Sequence, residues 1–228
     1  MIDLIVILML VIFTIAGYKK GLIRSSITLC SSILALVLSF IVYPIINMVL
    51  KLTPIYTSIY MGIAEKIEGI NFGKGIQTQG NAIMDNMTWL PSLLTEQIKK
   101  NNNTAMYELL GVQNIQEYIA TYVADIMISL IAILLTWVIL KVVFVGCLRV
   151  IGSIIEHLPV ISSFNRVGGF LFGFVKGILM ISLIGLLIPL FITLPAFQAL
   201  SQSIEASVIT KWLYEHNFIL MIYNYLIM

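Results

Sequence analysis

Residues 119–145 read IATYVADIMISLIAILLTWVILKVVFV, a stretch whose only charged residues are Asp125 and Lys141. A helix of about 20 apolar residues crosses the ~30 Å hydrocarbon core of a bilayer. Because lipid tails offer no hydrogen-bond partners, a single spanning segment of this kind has to be helical. The stretch therefore predicts a transmembrane helix.

Three further apolar runs lie at residues 2–18, 27–50 and 167–194. Lys176 interrupts the last run, and Pro189 predicts a kink in it. Together the four runs predict an all-α fold: an integral membrane protein with about four transmembrane helices plus interfacial amphipathic helices.

Composition supports the same class. Of 228 residues, 60% are hydrophobic and 11% are charged, and the mean hydropathy is +1.02. In an average soluble domain, about a quarter of the residues are charged. The net charge of +2 is too small to indicate a nucleic-acid partner. Cys30 and Cys147 lie in or beside apolar runs, so they predict neither a disulfide framework nor a metal site.

The pattern divides the chain into four parts. Residues 51–118 are polar and contain few strongly apolar residues, so we expect short helices there and no autonomous domain. The connection after Lys141 and the C-terminal segment both show the two-faced pattern of interfacial helices. The predicted parts are 1–50 with helices one and two, 51–118 as an extracytoplasmic stretch with short helices, 119–195 with helices three and four and their cytoplasmic connection, and 196–228 as an extracytoplasmic amphipathic segment.

Basic residues indicate the orientation. The segments 17–24 and 141–166 contain a single acid, Glu156, beside six cations: Lys19, Lys20, Arg24, Lys141, Arg149 and Arg166. Short loops rich in Lys and Arg stay in the cytoplasm. The sequence therefore predicts that both termini and residues 51–118 lie outside the cytoplasm.

Small residues form two seams. Glycine is unfavourable inside a helix by about 1 kcal/mol relative to alanine, and in membranes small residues mark close helix contacts. A chance serine-rich stretch and a flexible helix start at Gly168 are the alternatives. The seams are Ser25, Thr28, Ser32, Ala35 and Ser39 in helix two, and Gly169, Gly173 and Gly177 in helix four.

Three charges fall inside apolar runs, at Asp125, Lys141 and Lys176. An ionisable residue in the membrane is by default a functional candidate. The alternative is that Asp125 lies at the outer interface while the two lysines extend to the cytoplasmic side.

The sequence contains no catalytic or cofactor-binding motif. Its two histidines, His157 and His216, are predicted on opposite membrane faces. We therefore expect no enzyme, no cofactor and no metal.

Two stretches resemble the colicin V production protein (CvpA) family of bacterial membrane proteins. The first is GYKKGLIR at 17–24, and the second is FNRVGGFLFGFVKG at 164–177. The tail LYEHN at 213–217 is also similar. The resemblance implies a multi-pass protein of the bacterial plasma membrane, associated with colicin V production and envelope stress tolerance.

These motifs supply the candidate residues for packing or function. Asn165 is predicted as the N-cap of helix four, which leaves Arg166 in the first turn. There Arg166 either keeps the segment cytoplasmic or grips a lipid phosphate or a partner carboxylate. The candidates are Gly17, Gly21, Arg24, Ser32, Ala35, Asn165, Arg166, Gly169, Gly173, Lys176 and Gly177.

Two functions are consistent with these observations. The first is a non-enzymatic membrane module that supports toxin production, secretion or envelope maintenance by binding membrane lipid and other membrane or envelope proteins, with a homo-oligomer left open. The second is a small oligomeric transporter or channel that uses the intramembrane charges.

Overall fold

A computed structural model describes residues 1–155, 162–192 and 198–227. These residues form helices and no strands, which confirms the all-α prediction. The helices are α1 (Ile2–Lys51), α2 (Pro54–Ile67), α3 (Ile76–Asn86), α4 (Ser92–Lys100), α5 (Thr104–Leu110), α6 (Ile115–Ile155), α7 (Ser162–Gly185), α8 (Ile188–Ile192), α9 (Gln198–Glu205), α10 (Ile209–Glu215) and α11 (Phe218–Ile227).

Three of these helices are long and apolar enough to cross a membrane: α1, α6 over Ile115–Phe144, and α7 over Phe164–Gly185. The most apolar stretch of α6 is the most enclosed, with 50% of it buried against 22% in α1 and 33% in α7. α6 is therefore the most enclosed of the three helices. α1 packs against both α6 and α7, yet it presents more of its surface outward.

Helix α1 consists of two arms joined at Gly21. The backbone there adopts φ 78° and ψ 174°, a conformation that glycine reaches without steric strain. Ser25 Oγ donates to the Gly17 carbonyl at 3.1 Å, although residues eight apart in a straight helix lie about 12 Å apart. The chain therefore folds back, and residues 2–20 and 22–51 form two antiparallel arms where the sequence predicts helices one and two.

The two arms pack against different partners. The N-terminal arm (2–20) runs antiparallel to α7, since Gly177 lies beside Leu10 while Gly169 lies beside Gly17. The C-terminal arm (22–51) runs antiparallel to α6, where Trp137 contacts Ser32. The four apolar segments thus alternate in direction. We call the end at Gly21 the turn end and the opposite end, where α2 follows α1, the loop end.

Beyond the loop end, α2 to α5 enclose an apolar core that the composition of residues 51–118 did not lead us to expect. Ile63, Ile67, Phe72, Ile83 and Met87 are each at most 1% exposed. Helix α6 completes this core, because its first turns contribute buried aromatic and aliphatic side chains to the same cluster. The few apolar residues suffice because the small helices share α6 as a common wall.

The predicted kink at Pro189 takes a different form. Helix α7 ends at Gly185, and α8 begins at Ile188, so the break precedes the proline. Pro189 occupies the second position of α8. A backbone N–H at this position would have no acceptor within the helix, so the proline costs no helical hydrogen bond.

The predicted amphipathic continuation of helix three is helical as far as Ile155, and residues 156–161 lie outside the described ones. In the C-terminal segment, Ile204 of α9 is buried, whereas Val208, which precedes α10, is 80% exposed. In α11, Ile219 and Leu220 are buried, and this helix contacts α7.

Candidate functional site

The two motif stretches meet at the turn end. A Cβ atom added to Gly17 would lie 2.6 Å from Gly173 Cα and would also meet the Gly169 carbonyl. A Cβ added to Gly169 would lie 2.8 Å from Gly21 Cα. Real Cβ atoms do not approach other atoms this closely, so only hydrogen fits. These four glycines, Gly17, Gly21, Gly169 and Gly173, form what we call the glycine joint between the N-terminal arm and α7.

Asn165 binds the bend that follows the joint. The Leu22 N–H donates to Asn165 Oδ1 at 2.6 Å. Leu22 opens the C-terminal arm, and the first N–H groups of a helix have no intrahelical acceptor. The asparagine therefore caps a helix distant in sequence. Its predicted role as N-cap of helix four is wrong, because α7 begins three residues earlier at Ser162.

The two arginines of the motifs lie beside this joint. Arg166 is exposed and stands in the second turn of α7 rather than in the first. Arg24, on the C-terminal arm, is also exposed, and it has an interaction partner within the protein. Gly177 extends the glycine ridge to Leu10 and Phe13, where an added Cβ would meet side chains at 3.1–3.2 Å.

Four of the five residues in the serine seam of the C-terminal arm are buried, and Thr28 is half-buried. Ser32, Ala35 and Ser39 are 0% exposed, and Ser25 is 3% exposed. Trp137 of α6 donates its indole N–H to the Ser32 carbonyl at 3.0 Å. The small side chains therefore let the indole reach the backbone of the arm.

Asp125 forms an ion pair at the loop end. Lys51 Nζ lies 2.7 Å from Asp125 Oδ1, with side-chain exposures of 41% and 28%. Tyr56 of α2 lies beside the same carboxylate. Burial and the negative charge of Asp125 raise the pKa of Tyr56 to about 12. Asp125 thus fastens α6 to the end of α1, and the sequence offered no signal for its partner Lys51.

Lys141 on α6 and Lys176 on α7 both lie toward the turn end. Both are half-buried. Lys141 Nζ lies 4.2 Å from the centre of the Trp137 ring, within the range of a cation–π contact. The Lys141 ammonium is therefore held against an aromatic ring of its own helix.

The tail 213–217 fastens the C-terminal helices. Glu215 Oε2 accepts the Ser92 N–H at 3.0 Å and so caps α4. The Asn217 amide donates to the Ser182 carbonyl of α7 at 2.8 Å, while its oxygen accepts the Ile219 N–H at 3.1 Å. The sequence of this tail does not reveal its role, because its partners are distant in the chain.

No grouping of three His, Cys, Asp or Glu side chains that could hold a metal ion occurs in the part of the chain that the structure describes. His216 contacts the Trp212 carbonyl at 3.0 Å. His157 lies outside the described residues.

The fold and the joint define an all-α integral membrane protein in which two glycine-rich motifs hold a helical turn against a neighbouring helix. Residues 106–216 match the family model described as Colicin V production protein, which confirms the family resemblance. The match covers the 164–177 motif and residues 213–216 of the tail, and it excludes the 17–24 motif that packs against the 164–177 motif. No curated protein and no solved structure matches the chain.

Proposed function

We propose that this chain is a non-enzymatic protein of the bacterial plasma membrane that supports toxin production and secretion, or maintenance of the cell envelope, by binding other membrane proteins. The observation that carries the proposal is the chemistry of the glycine joint. Its contacts are backbone atoms, glycines and one amide side chain. Such groups fix how helices are arranged and transfer no protons or electrons. The matched family description points to toxin production.

The proposed orientation places the turn end in the cytoplasm and both termini outside. Lys19, Lys20 and Arg24 flank the turn at Gly21, and Arg166 lies on the facing part of α7. This concentration of positive charge at one end supports retention on the cytoplasmic side. We also propose that the chain can form a homo-oligomer. The outward apolar faces of α1 and α7 would provide the contact surface.

The alternative of a transporter needs the intramembrane charges to line one path. Asp125 and Lys141 are 16 residues apart on α6, or about 24 Å at the helical rise. Between them Met127, Leu130 and Ile133 are at most 1% exposed and pack into the apolar core. The arrangement of the described residues therefore favours the packing role over a polar path.

A complementation experiment tests the proposal. A strain lacking this protein would be assayed for toxin secretion and for growth under envelope stress, with the parent chain or a variant restored. Gly173→Leu blocks the joint, whereas Phe170→Leu alters an exposed side chain on the same helix. We expect the first to insert in the membrane yet fail to complement, and the second to complement.

Two results would contradict the proposal. One is full complementation by Gly173→Leu at parental abundance. The other is loss of complementation by Asp125→Asn together with solute flux in proteoliposomes of the parent chain, which would favour the transporter. Arg166→Lys separates charge from bidentate geometry, because lysine keeps the positive charge but loses the planar fork.

A further inference from the structure

A cavity of about 570 Å³ lies between the segment of α3 and α4 and the C-terminal helices α9 and α10. Its apolar lining consists of buried side chains from both segments, among them Met87, Trp89 and Leu90 on one side and Ile204 and Tyr214 on the other. Binding pockets for small ligands have volumes of about 300–1,000 Å³ and a mostly apolar lining. The cavity therefore has the size and the lining of a binding site.

Hydrogen bonds between lining residues fix the two sides of the cavity to each other. Glu215 of α10 accepts the Ser92 hydroxyl at 2.6 Å and the Ser92 backbone N–H at 3.0 Å. The Tyr214 hydroxyl donates to the Trp89 carbonyl at 3.3 Å. All four residues line the cavity, so the protein itself maintains the spacing between its sides. A preformed site loses less conformational freedom when it binds a ligand.

Three polar groups of the lining have no hydrogen-bond or ion-pair partner among the residues that the structure describes: the indole N–H of Trp89, the carboxylate of Glu205 and the ammonium of Lys211. Trp89 is only 7% exposed, and a buried indole N–H usually has a hydrogen-bond partner. Lys66 contacts the face of this ring, with its Nζ 4.8 Å from the ring centre, and leaves the N–H unused. The cavity therefore offers a ligand two donors and one acceptor.

This mixture of groups favours a peptide over other amphipathic ligands. A peptide brings backbone N–H and C=O groups together with apolar side chains. An acyl chain would cover the Trp89 N–H without accepting its hydrogen bond, which is unfavourable. A phosphate group would meet the carboxylates of Glu205 and Glu215 against the single ammonium of Lys211. The same excess of negative charge favours a basic side chain in the ligand.

We propose that this cavity binds a short polypeptide segment in which a basic side chain stands beside an apolar one. The apolar side chain packs against Met87 and Ile204, the basic side chain pairs with Glu205, and Lys211 and the Trp89 N–H donate to carbonyl groups of the peptide. Peptide recognition commonly combines backbone hydrogen bonds with pockets for individual side chains. The lining includes no residue of the glycine joint, so the site goes beyond the proposed function.

The test measures peptide binding by the full chain in detergent micelles. Fluorescence anisotropy would follow a labelled Ala-Leu-Lys-Phe-Ala peptide with blocked ends, which we call the lysine peptide. The glutamate peptide replaces its lysine with glutamate, and the serine peptide replaces its leucine and phenylalanine with serine. We expect the parent chain to bind the lysine peptide about tenfold more tightly than either of the others, because they lose the charge pairing or the apolar contact.

Matched variants locate the binding in the cavity. Glu205→Lys reverses one charge of the lining, so the affinity for the lysine peptide should fall about tenfold and that for the glutamate peptide should rise. Glu108→Lys makes the same change at an exposed position on α5 outside the lining and should keep the parental preference. Thr88→Trp adds a large side chain at an exposed lining position and should abolish binding, whereas Thr88→Ser should retain it. Circular dichroism would establish that the variants are folded.

Four results would overturn the assignment. One is that the parent binds the lysine peptide no more tightly than the serine peptide, and a second is an equal loss of affinity in Glu205→Lys and Glu108→Lys. A third is parental binding by folded Thr88→Trp. The fourth is displacement of the lysine peptide by an equal concentration of phosphatidylethanolamine, which would assign the cavity to a lipid. Complementation by Gly173→Leu tests the proposed function separately and does not depend on these results.

Discussion

Asn165 Oδ1 accepts the backbone N–H of Leu22 at 2.6 Å, across 143 residues of sequence. The bond joins the two motifs that carry the family resemblance, and it lies directly after the only backbone reversal inside α1. Gly21, with its positive φ, leaves the room that this amide needs, since a Cβ there would lie 2.6–2.8 Å from the atoms of the Asn165 carboxamide.

Replacing Asn165 with alanine should destabilise the hairpin of the two arms. The Leu22 N–H would lose its acceptor, and the loss of a helix cap costs about 0.5–2 kcal/mol. Unfolding in mixed detergent–dodecyl sulfate micelles would measure the free energy. Asn165→Asp keeps the acceptor oxygen and should be close to the parent, so equal losses in both variants would show that the bond does not stabilise the fold.

Gly173→Ala and Gly80→Ala should act in opposite directions. Both glycines lie inside helices, where alanine is favoured by about 1 kcal/mol. At Gly173 the new methyl would lie 2.6 Å from the Phe13 carbonyl oxygen, so α7 must move away from the arm. At Gly80 it would meet the flexible Lys99 side chain at 3.2 Å. Thermal unfolding in detergent should show a lower Tm for Gly173→Ala alone, and a higher Tm there would disprove the close contact.

The serine seam predicts a contrast between neighbouring positions. Ser32 is 0% exposed and Leu34 is 49% exposed. Ser32→Leu should destabilise by about 1–3 kcal/mol, as overpacking does in cores, and it should separate Trp137 from the arm. Leu34→Phe should change little. Folding yield and tryptophan fluorescence would measure both variants, and equal effects would show that the seam is not an interface.

The orientation predicts which positions an impermeant thiol reagent reaches in intact cells. In a background with Cys30 and Cys147 replaced by serine, Lys74→Cys should react and Phe164→Cys should not. Both side chains are exposed, so burial does not explain a difference. Permeabilised cells provide the control in which both react. Labelling of Phe164→Cys alone in intact cells would reverse the topology.

The ion pair at the loop end should contribute little. Exposed pairs contribute about 0.2–1 kcal/mol in double-mutant cycles, and the side chains of Lys51 and Asp125 are 41% and 28% exposed. A cycle of Lys51→Met and Asp125→Asn, followed by unfolding, should give a coupling energy in that range. A coupling several times larger would mean that lipid encloses the pair more fully than the protein alone does.

Sequence determined where the membrane segments lie, because an apolar run of sufficient length has only one stable form in lipid. The runs at residues 2–18, 27–50 and 119–145 correspond to the two arms of α1 and to α6. The run at 167–194 divides between α7 and α8, and its last two residues lie outside the described ones. Small residues at three- and four-residue spacing also indicated which helix faces are enclosed. Their spacing within one helix is enough to show which face allows a neighbouring backbone to approach closely.

Tertiary structure alone decided which segments meet. The acceptor for the Leu22 amide is Asn165, and the partner of Asp125 is Lys51. The spacing of residues within one segment predicts neither partner. The core of residues 51–118 likewise formed only because α6 supplied its missing wall. Periodicity reports on one helix at a time, whereas a hydrogen bond, an ion pair or a shared core depends on distances between helices that are fixed only when the whole chain has folded.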